Sequence, residues 1–170
     1  MQEKNKSVFF CDIYGTFKNS HTSQEERAND LHKFLENLSF LDEEVILCFF
    51  STSNYDDVKE CVDEIKNILP SNIVIGPYCG NDSHPEDDKY IKSESKIDFL
   101  RLYAKHLNNS FEINNFYVAD DSFMNLKLAE INLKSYNYEL FQTNSEENIK
   151  SLNKMLEEYI MEKVETKIHK

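Results

Sequence analysis

The sequence predicts an α/β fold, a three-layer sandwich with helices on both sides of a mostly parallel central sheet of about five strands. Two observations support this prediction. Apolar runs of strand length alternate along the chain with longer segments in which apolar residues recur every three or four positions. The strand-length runs, VFFC and VILCFF among them, are apolar throughout, which is typical of parallel strands that are buried on both faces.

The predicted elements alternate between strand and helix. The strands are expected at residues 6–11, 45–50, 72–75, 115–119 and 134–140. The helices are expected at residues 24–38, 54–69, 93–107, 123–131 and 145–163. Residues 76–90 are expected to be irregular because turn-forming residues cluster there, and residues 165–170 are expected to fray. Right-handed crossovers between parallel strands would distribute the helices over both faces of the sheet.

The composition is typical of a globular protein with one domain. The chain has 170 residues, of which 40% are hydrophobic and 29% charged, and this length can bury one core. No apolar run approaches the roughly 18–20 residues that span a bilayer, and the polar start MQEKNK is unlike a signal peptide. These features predict a cytoplasmic protein without membrane contact.

Charge and cysteine spacing argue against two further classes of protein. The formal net charge is -12, which disfavours nucleic acid as the main partner because phosphate backbones bind basic surfaces. The four cysteines show no CxxC spacing, so buried free thiols are favoured over a zinc site or a disulfide framework. A small phosphorylated substrate stays compatible with this charge if a few cations or a metal ion converge locally.

Polar side chains follow three of the predicted strands. Asp12 comes after the first, the residues STSN (51–54) after the second, and Asp120 lies at the end of the fourth, before Asp121. Since the carboxyl ends of parallel strands meet at one edge, these groups are expected to lie together, within reach of Lys96. Carboxylates, a hydroxyl and a lysine suit metal-assisted phosphoryl transfer. Each residue taken alone is more often a turn residue or a helix N-cap, so the prediction depends on their order and spacing together.

In their order and spacing these groups resemble the four motifs of the haloacid dehalogenase (HAD) superfamily. The first motif of that family is a strand followed by Asp-x-Asp-Gly-Thr or a variant, and here residues 12–16 are DIYGT. The second, a Ser or Thr at a strand end, is matched by Ser51, and the third, a lysine that opens a helix, by Lys96. The fourth is an acidic cluster, matched by Asp120 and Asp121 in VADDSFMNLKLAE.

The resemblance covers nearly the whole chain and implies one Rossmann-like HAD domain over residues 1–170, without a large cap domain. It implies a Mg²⁺-dependent phosphohydrolase in which Asp12 is the nucleophile and forms an aspartyl-phosphate. Ser51 and Lys96 would hold the phosphoryl group during the reaction. The implied substrate is a phosphorylated compound.

The resemblance also implies the ligands of the metal ion. Mg²⁺ would be held by Asp12, by the backbone carbonyl of Tyr14, and by Asp120 or Asp121 directly or through water. The residues expected to contact the substrate are Thr16, Thr52 and Asn54.

The chain departs from the phosphatase pattern at three positions. Tyr14 stands where these phosphatases carry a second Asp, which acts as general acid and base. A phenol titrates near pH 10, and losing a general acid–base typically costs about 10²–10⁴-fold, so turnover is expected to be slow. Ala119 and Asn125 also replace common family residues. An alternative is therefore a catalytically silent HAD-like domain that binds or regulates another protein.

A third alternative, 2-haloacid dehalogenation, is less favoured. Asp-x-Tyr-Gly-Thr is also the dehalogenase form of the first motif, and that chemistry needs no metal. However, those enzymes insert a helical cap after the motif, and residues 17–44 have room for one helix only. Arg27, the single arginine in that stretch, is expected to be solvated rather than to bind halide.

The spacing of the motifs also bears on the size of the substrate. Residues 51–96 leave no room for a second cap, so the site is expected to be open, with a macromolecular substrate or a homodimer that covers it. Residues 78–90 are expected to face the substrate. Four members of this loop invite a metal-site interpretation, but a solvated acidic loop is favoured: Asp82, His84, Asp87 and Asp88.

Overall fold

A five-stranded parallel sheet forms the centre of the structure, a computed structural model that describes residues 4–18 and 23–168. The strands are β1 (Lys6–Cys11), β2 (Glu44–Phe49), β3 (Ile73–Ile75), β4 (Tyr78–Gly80), β5 (Tyr90–Lys92), β6 (Ile113–Asp120) and β7 (Tyr138–Gln142). The helices are α1 (Gln24–Ser39), α2 (Tyr55–Ile65), α3 (Lys96–Ser110), α4 (Phe123–Asn132) and α5 (Ile149–Ile168). The central sheet has the order β3-β2-β1-β6-β7, which confirms the predicted α/β class.

Helices cover both faces of this sheet and complete a Rossmann-like sandwich of three layers. The side chains of α1, α2 and α5 pack with the face that carries Phe9, whereas those of α3 and α4 pack with the face that carries Phe10. Both phenylalanines are fully buried. This burial on two sides explains why the first strand is apolar at every position rather than at alternate ones.

The strand order determines where a ligand can bind. The chain runs from β1 outward through β2 to β3, crosses back, and then runs outward on the other side through β6 to β7. The order therefore reverses between β1 and β6, and open α/β sheets bind ligands beyond the carboxyl ends of the strands at such a point.

Several element boundaries differ from the predictions because end geometry is set by turns and caps. Helix α2 begins after its N-cap Asn54 and ends at Ile65, not at residue 69. Strand β7 lies four residues later than the predicted start at 134, and α5 begins at Ile149 rather than at 145. Helix α5 also continues to Ile168, five residues beyond the predicted end at residue 163, while residues 169–170 lie outside the described residues.

The region predicted to be irregular contains a small parallel sheet of its own. Strands β4 and β5 pair with each other, and Cys79 bridges to Phe50 at the end of β2. The acidic loop between them is held in place, because the hydroxyls of Tyr55 and Tyr78 donate to Asp87 Oδ2 at 2.9 and 2.5 Å. Most of this loop, seven of the nine residues at positions 81–89, is nevertheless exposed, as expected of a solvated acidic loop.

Two predictions about composition can be compared with the structure directly. All four cysteines are free and buried, as the lack of CxxC spacing predicted. Among the described helices, none combines the length and the apolar composition that a bilayer crossing requires.

Candidate active site

Three carboxylates surround one ammonium group at the switch point between β1 and β6. Asp12 follows β1, Asp120 ends β6 and Asp121 comes next, and one carboxylate oxygen from each lies within 4.8 Å of the others. The Nζ atom of Lys96 lies 2.5 Å from Asp12 Oδ1 and 2.7 Å from Asp120 Oδ2. The structure thus brings together four of the residues that the sequence analysis proposed for chemistry.

Lys96 reaches this position because it opens helix α3 at the edge of the cleft. Ser95 is the N-cap of that helix and accepts a hydrogen bond from the backbone N–H of Asp98. The lysine side chain is only 8% exposed. Burial opposes its charged form, but the carboxylates of Asp12 and Asp120 outweigh burial and raise the pKa of Lys96. Lys96 is therefore a fixed cation at the centre of the acidic cluster.

Asp120 and Asp121 have different surroundings. Asp120 Oδ1 accepts from the backbone N–H of Ser122, and its Oδ2 accepts from Lys96 and from Asn125 Nδ2 at 3.2 Å. In the described part of the chain, by contrast, no hydrogen-bond donor reaches the carboxylate of Asp121. Asp120 is thus fully engaged in holding Lys96, whereas Asp121 keeps its oxygens available for another ligand.

Gly15 allows Asp121 to approach the loop after β1. The φ angle of Gly15 is +81°, in the left-handed region that favours glycine. A Cβ atom at this position would also overlap the carboxylate of Asp121. One glycine therefore satisfies both a backbone conformation and a close contact, which accounts for its place in a chain with only 3 glycines.

The charge balance of the cluster favours the binding of a cation. Burial raises the pKa of Asp12 to about 7, and the neighbouring Asp120 adds to this, while Lys96 and Thr16 oppose it. Three carboxylates against one ammonium leave an excess of negative charge when all are ionised. A divalent ion held by carboxylate oxygens would offset that excess, and these hard oxygen donors fit such an ion.

A chain of hydroxyl groups holds the second oxygen of Asp12. Thr16 Oγ1 donates to Asp12 Oδ2 at 3.1 Å and lies 2.8 Å from Thr143 Oγ1. Thr143 has one hydroxyl proton, which it can donate either to Thr16 Oγ1 or to the carbonyl oxygen of Gly15, 3.0 Å away. Thr143 directly follows β7 and is buried. Thr143 was not predicted as a site residue because the last strand was expected to end at residue 140. It nevertheless fits the pattern of polar residues that directly follow a strand at this edge of the sheet.

Ser51 and Thr52 line the same cleft as Asp12, and the cleft has a volume of about 420 Å³. Ser51 is buried, and its Oγ accepts from the backbone N–H of Ser53 at 3.0 Å, which leaves its own proton for a ligand. Asn54 is not among the lining residues of this cleft, since its side chain caps α2 by accepting from the N–H of Asp57. The structure therefore supports a capping role for Asn54.

Tyr14 lines the cleft but is not buried in it. Its side chain is 51% exposed, and the ring lies 5.0 Å from the Nζ atom of Lys18. The phenol is therefore a surface group at the mouth of the cleft and not part of the buried network around Asp12.

Arg27 and the acidic loop each have an observed structural role. The guanidinium of Arg27 donates to both carboxylate oxygens of Glu64 at 3.1 Å and lies against the ring of Phe17, so the expected solvated role is wrong. Arg27 is not among the residues that line the cleft of Asp12. Within residues 4–18 and 23–168, the cluster of Asp12, Asp120 and Asp121 is the one acidic group arranged to hold a metal.

Comparisons with known proteins identify no relative of this chain. No family model, no curated protein and no solved structure matches the chain. The functional argument therefore rests on the residues of the cleft and their geometry.

Proposed function

We propose that this protein is a Mg²⁺-dependent phosphohydrolase of the HAD type, in which Asp12 attacks the phosphoryl group. The observation that carries the proposal is the ammonium of Lys96 between Asp12 and Asp120, with Asp121 beside them at the switch point of the sheet. A nucleophile, a fixed cation and a free carboxylate are the groups that phosphoryl transfer through a carboxylate requires.

The residues of the cleft divide the chemistry between them. A carboxylate oxygen of Asp12 forms a bond to phosphorus while the bond from phosphorus to the leaving oxygen breaks, and the leaving oxygen takes a proton. Lys96 and the hydroxyl of Ser51 would hold the non-bridging oxygens, where negative charge is concentrated. Water then hydrolyses the acyl-phosphate, which releases phosphate and restores Asp12.

The metal would be held by Asp12, Asp121 and the backbone carbonyl of Tyr14. When bound, Mg²⁺ supplies charge neutralisation at the phosphoryl group. Asp120 would act differently, as the residue that positions Lys96, because its oxygens already accept three hydrogen bonds.

The exposure of the Tyr14 phenol supports a slow reaction. A phenol exposed at the mouth of the cleft is a poor general acid and base at neutral pH, so proton transfer to the leaving group falls to solvent. The same exposure favours a second candidate function, a catalytically silent domain that binds another protein. The open mouth of the cleft is consistent with a phosphorylated macromolecule as substrate.

The test is hydrolysis of p-nitrophenyl phosphate with Mg²⁺ by the wild-type protein and by Asp12→Asn. We expect the substitution to reduce the rate by about 10³-fold or more, since it removes the nucleophile. Asp87→Asn is the matched control, because it makes the same chemical change outside the cleft. Equal rates for the wild type and Asp12→Asn would contradict the proposal.

Beryllofluoride, which mimics a phosphoryl group on a carboxylate, separates the two candidate functions. The phosphohydrolase predicts that Mg²⁺ with beryllofluoride raises the melting temperature of the wild type but not of Asp12→Asn. The silent domain predicts no change in either protein.

A further inference from the structure

The segment that directly follows β7, residues 143–148, is here called the β7 clamp. The Oγ1 atom of its first residue, Thr143, lies 2.8 Å from Oγ1 of Thr16. When the amide of its last residue, Asn148, is oriented to pair donors with acceptors, its nitrogen donates to the carbonyl oxygen of Lys18 at 2.8 Å. The β7 clamp therefore contacts the loop after β1 at two points.

The β7 clamp is itself fixed to the central sheet and to α5. The backbone N–H of Thr143 donates to the carbonyl oxygen of Asp120 at 3.0 Å, which continues the pairing of β6 with β7 by one residue. The backbone N–H of Asn144 donates to the hydroxyl of Ser151 on α5, and that of Asn148 donates to the carbonyl oxygen of Asn144. The clamp thus ties the loop after β1 to the strand end that carries Asp120.

The backbone conformation of Asn148 is uncommon. Its φ angle is +52°, the one positive value among the non-glycine residues that the structure describes. Asparagine adopts this conformation more readily than most residues, but it is kept only where the surroundings hold it. Asn148 is buried, and its side chain faces the carbonyl oxygen of Lys18. The contact with the loop after β1 accounts for this conformation.

The loop that the clamp contacts also holds the carboxylate of Asp12. The backbone N–H groups of Thr16, Phe17 and Lys18 all donate to the carbonyl oxygen of Ile13, which folds the loop into a tight turn. From this turn Thr16 Oγ1 donates to Asp12 Oδ2 at 3.1 Å. A shift of the turn would therefore change the orientation of the Asp12 carboxylate.

The clamp acts on Asp12 through Thr16 and not by contact with a substrate. Neither Thr143 nor Asn148 is among the residues that line the cleft of Asp12. When Asp12 is ionised, Thr16 donates its proton to Asp12, so the proton between the two threonine oxygens comes from Thr143. Hydrogen bonds in such a chain strengthen one another.

We propose that Thr143 and Asn148 are positioning residues of the candidate active site. The β7 clamp holds the loop after β1 and thereby fixes the carboxylate of Asp12 and the backbone carbonyl of Tyr14. This role rests on the proposed function where it concerns Mg²⁺ binding and phosphoryl transfer. The holding of the loop is measurable without metal or substrate, so the clamp and the proposed function can fail separately.

The test compares Thr143→Val, which removes the hydroxyl at similar size, with Thr143→Ser, which keeps it. Hydrogen–deuterium exchange of the metal-free protein measures how often the amides of Thr16, Phe17 and Lys18 open. We expect exchange at these amides to be about tenfold faster in Thr143→Val, because a buried hydrogen bond is lost, and slow again in Thr143→Ser. Amides of α3 are the internal reference, since a variant that unfolds as a whole would exchange faster there too.

Asn148→Asp tests the other end of the clamp. Aspartate tolerates the positive φ angle but cannot donate to the carbonyl oxygen of Lys18, so the amides of Phe17 and Lys18 should exchange faster. Thr166→Val is the matched control, because Thr166 Oγ1 donates to the carbonyl oxygen of Glu162 on the exposed part of α5. It should leave exchange in the loop unchanged.

A second measurement connects the clamp with the proposed chemistry. Thr143→Val should weaken Mg²⁺ binding, measured by calorimetry, by about tenfold, as is typical when a residue behind a metal ligand is changed. It should lower kcat for p-nitrophenyl phosphate by about tenfold with little change in KM, because Thr143 lies outside the cleft. Thr143→Ser should recover both.

Unchanged exchange of the loop amides in Thr143→Val would overturn the clamp, whether or not the wild type hydrolyses phosphate. An equal effect of Thr143→Ser or of Thr166→Val would do the same. Faster exchange without any change in Mg²⁺ affinity or kcat would overturn the positioning role. Faster exchange in a protein whose wild type neither binds Mg²⁺ nor hydrolyses phosphate would support the clamp and contradict the proposed function.

Discussion

Two regions of this protein combine aspartate with tyrosine, and they do so in opposite ways. In the loop between β4 and β5, Asp87 accepts hydrogen bonds from Tyr55 and Tyr78, and Asp82 accepts one from Tyr90. In the cleft, the aspartates surround a lysine instead, and the tyrosine of that region stays at the surface.

The difference shows that the groups around a carboxylate determine its pKa, and with it the role that the carboxylate can have. Burial acts to raise the pKa of Asp87, but the tyrosine hydroxyls outweigh burial and lower it. Burial raises the pKa of Asp12 to about 7, with Asp120 adding to the effect. Asp87 is therefore a stable anion that holds a loop, whereas Asp12 gains or loses its proton near neutral pH.

Of the substitutions that compare the cleft with the loop, Tyr14→Asp is expected to have the largest effect. Tyr14→Asp would supply a general acid and base at the mouth of the cleft, and such a group contributes about 10²–10⁴-fold. We expect the steady-state rate of p-nitrophenyl phosphate hydrolysis to rise about 10²-fold.

Tyr14→Asn is the control for this substitution, because asparagine is similar in size to aspartate but cannot transfer a proton. Equal rates for the two variants would show that Tyr14 does not occupy the acid–base position.

A second prediction exchanges carboxylate for amide in each region. Asp121→Asn should weaken Mg²⁺ binding, measured by calorimetry, by about 10–100-fold while changing the melting temperature little. Asp87→Asn should leave Mg²⁺ binding unchanged but destabilise the protein by about 1 kcal/mol, a few degrees in melting temperature, because Tyr55 and Tyr78 lose a strong acceptor. Loss of Mg²⁺ binding in Asp87→Asn would contradict the division between cleft and loop.

The smallest expected effect is the dependence of Mg²⁺ binding on pH. In the proposed site Mg²⁺ would bind the ionised form of Asp12, so a proton would compete with it below the pKa of about 7. We expect Mg²⁺ to raise the melting temperature by about 3 °C at pH 8 and by clearly less at pH 6.

Without Mg²⁺, the raised pKa of Asp12 also determines how the stability of the folded protein changes with pH. The folded protein keeps a proton on Asp12 that the unfolded chain loses at lower pH, so this group lowers stability as pH rises from about 4 to 7. Asp12→Asn should remove both pH dependences. A Mg²⁺ effect of the same size at pH 6 and pH 8 in the wild type would contradict the assignment.

Much of the fold and part of the site could be predicted from residue patterns. The first strand matched its prediction at both ends, because a run that is buried on both faces must be apolar throughout. The positions of Asp12 and Asp120 at adjacent strand ends followed from the parallel sheet. Strands β4 and β5 escaped prediction because each is short and lies among turn-forming residues, whereas the equally short β3 is an apolar run.

The sequence by itself determined the alternation of strand and helix and the strand ends at which polar groups collect. Only the tertiary structure decided which groups meet: Lys96 reaches Asp12 across 84 positions, and Thr143 reaches Thr16 across 127. It also decided that Asp120 is engaged while Asp121 stays available. Hydrophobic periodicity encodes which side of an element is buried, but a side-chain hydrogen bond depends on the register and rotamers of residues far apart in the chain.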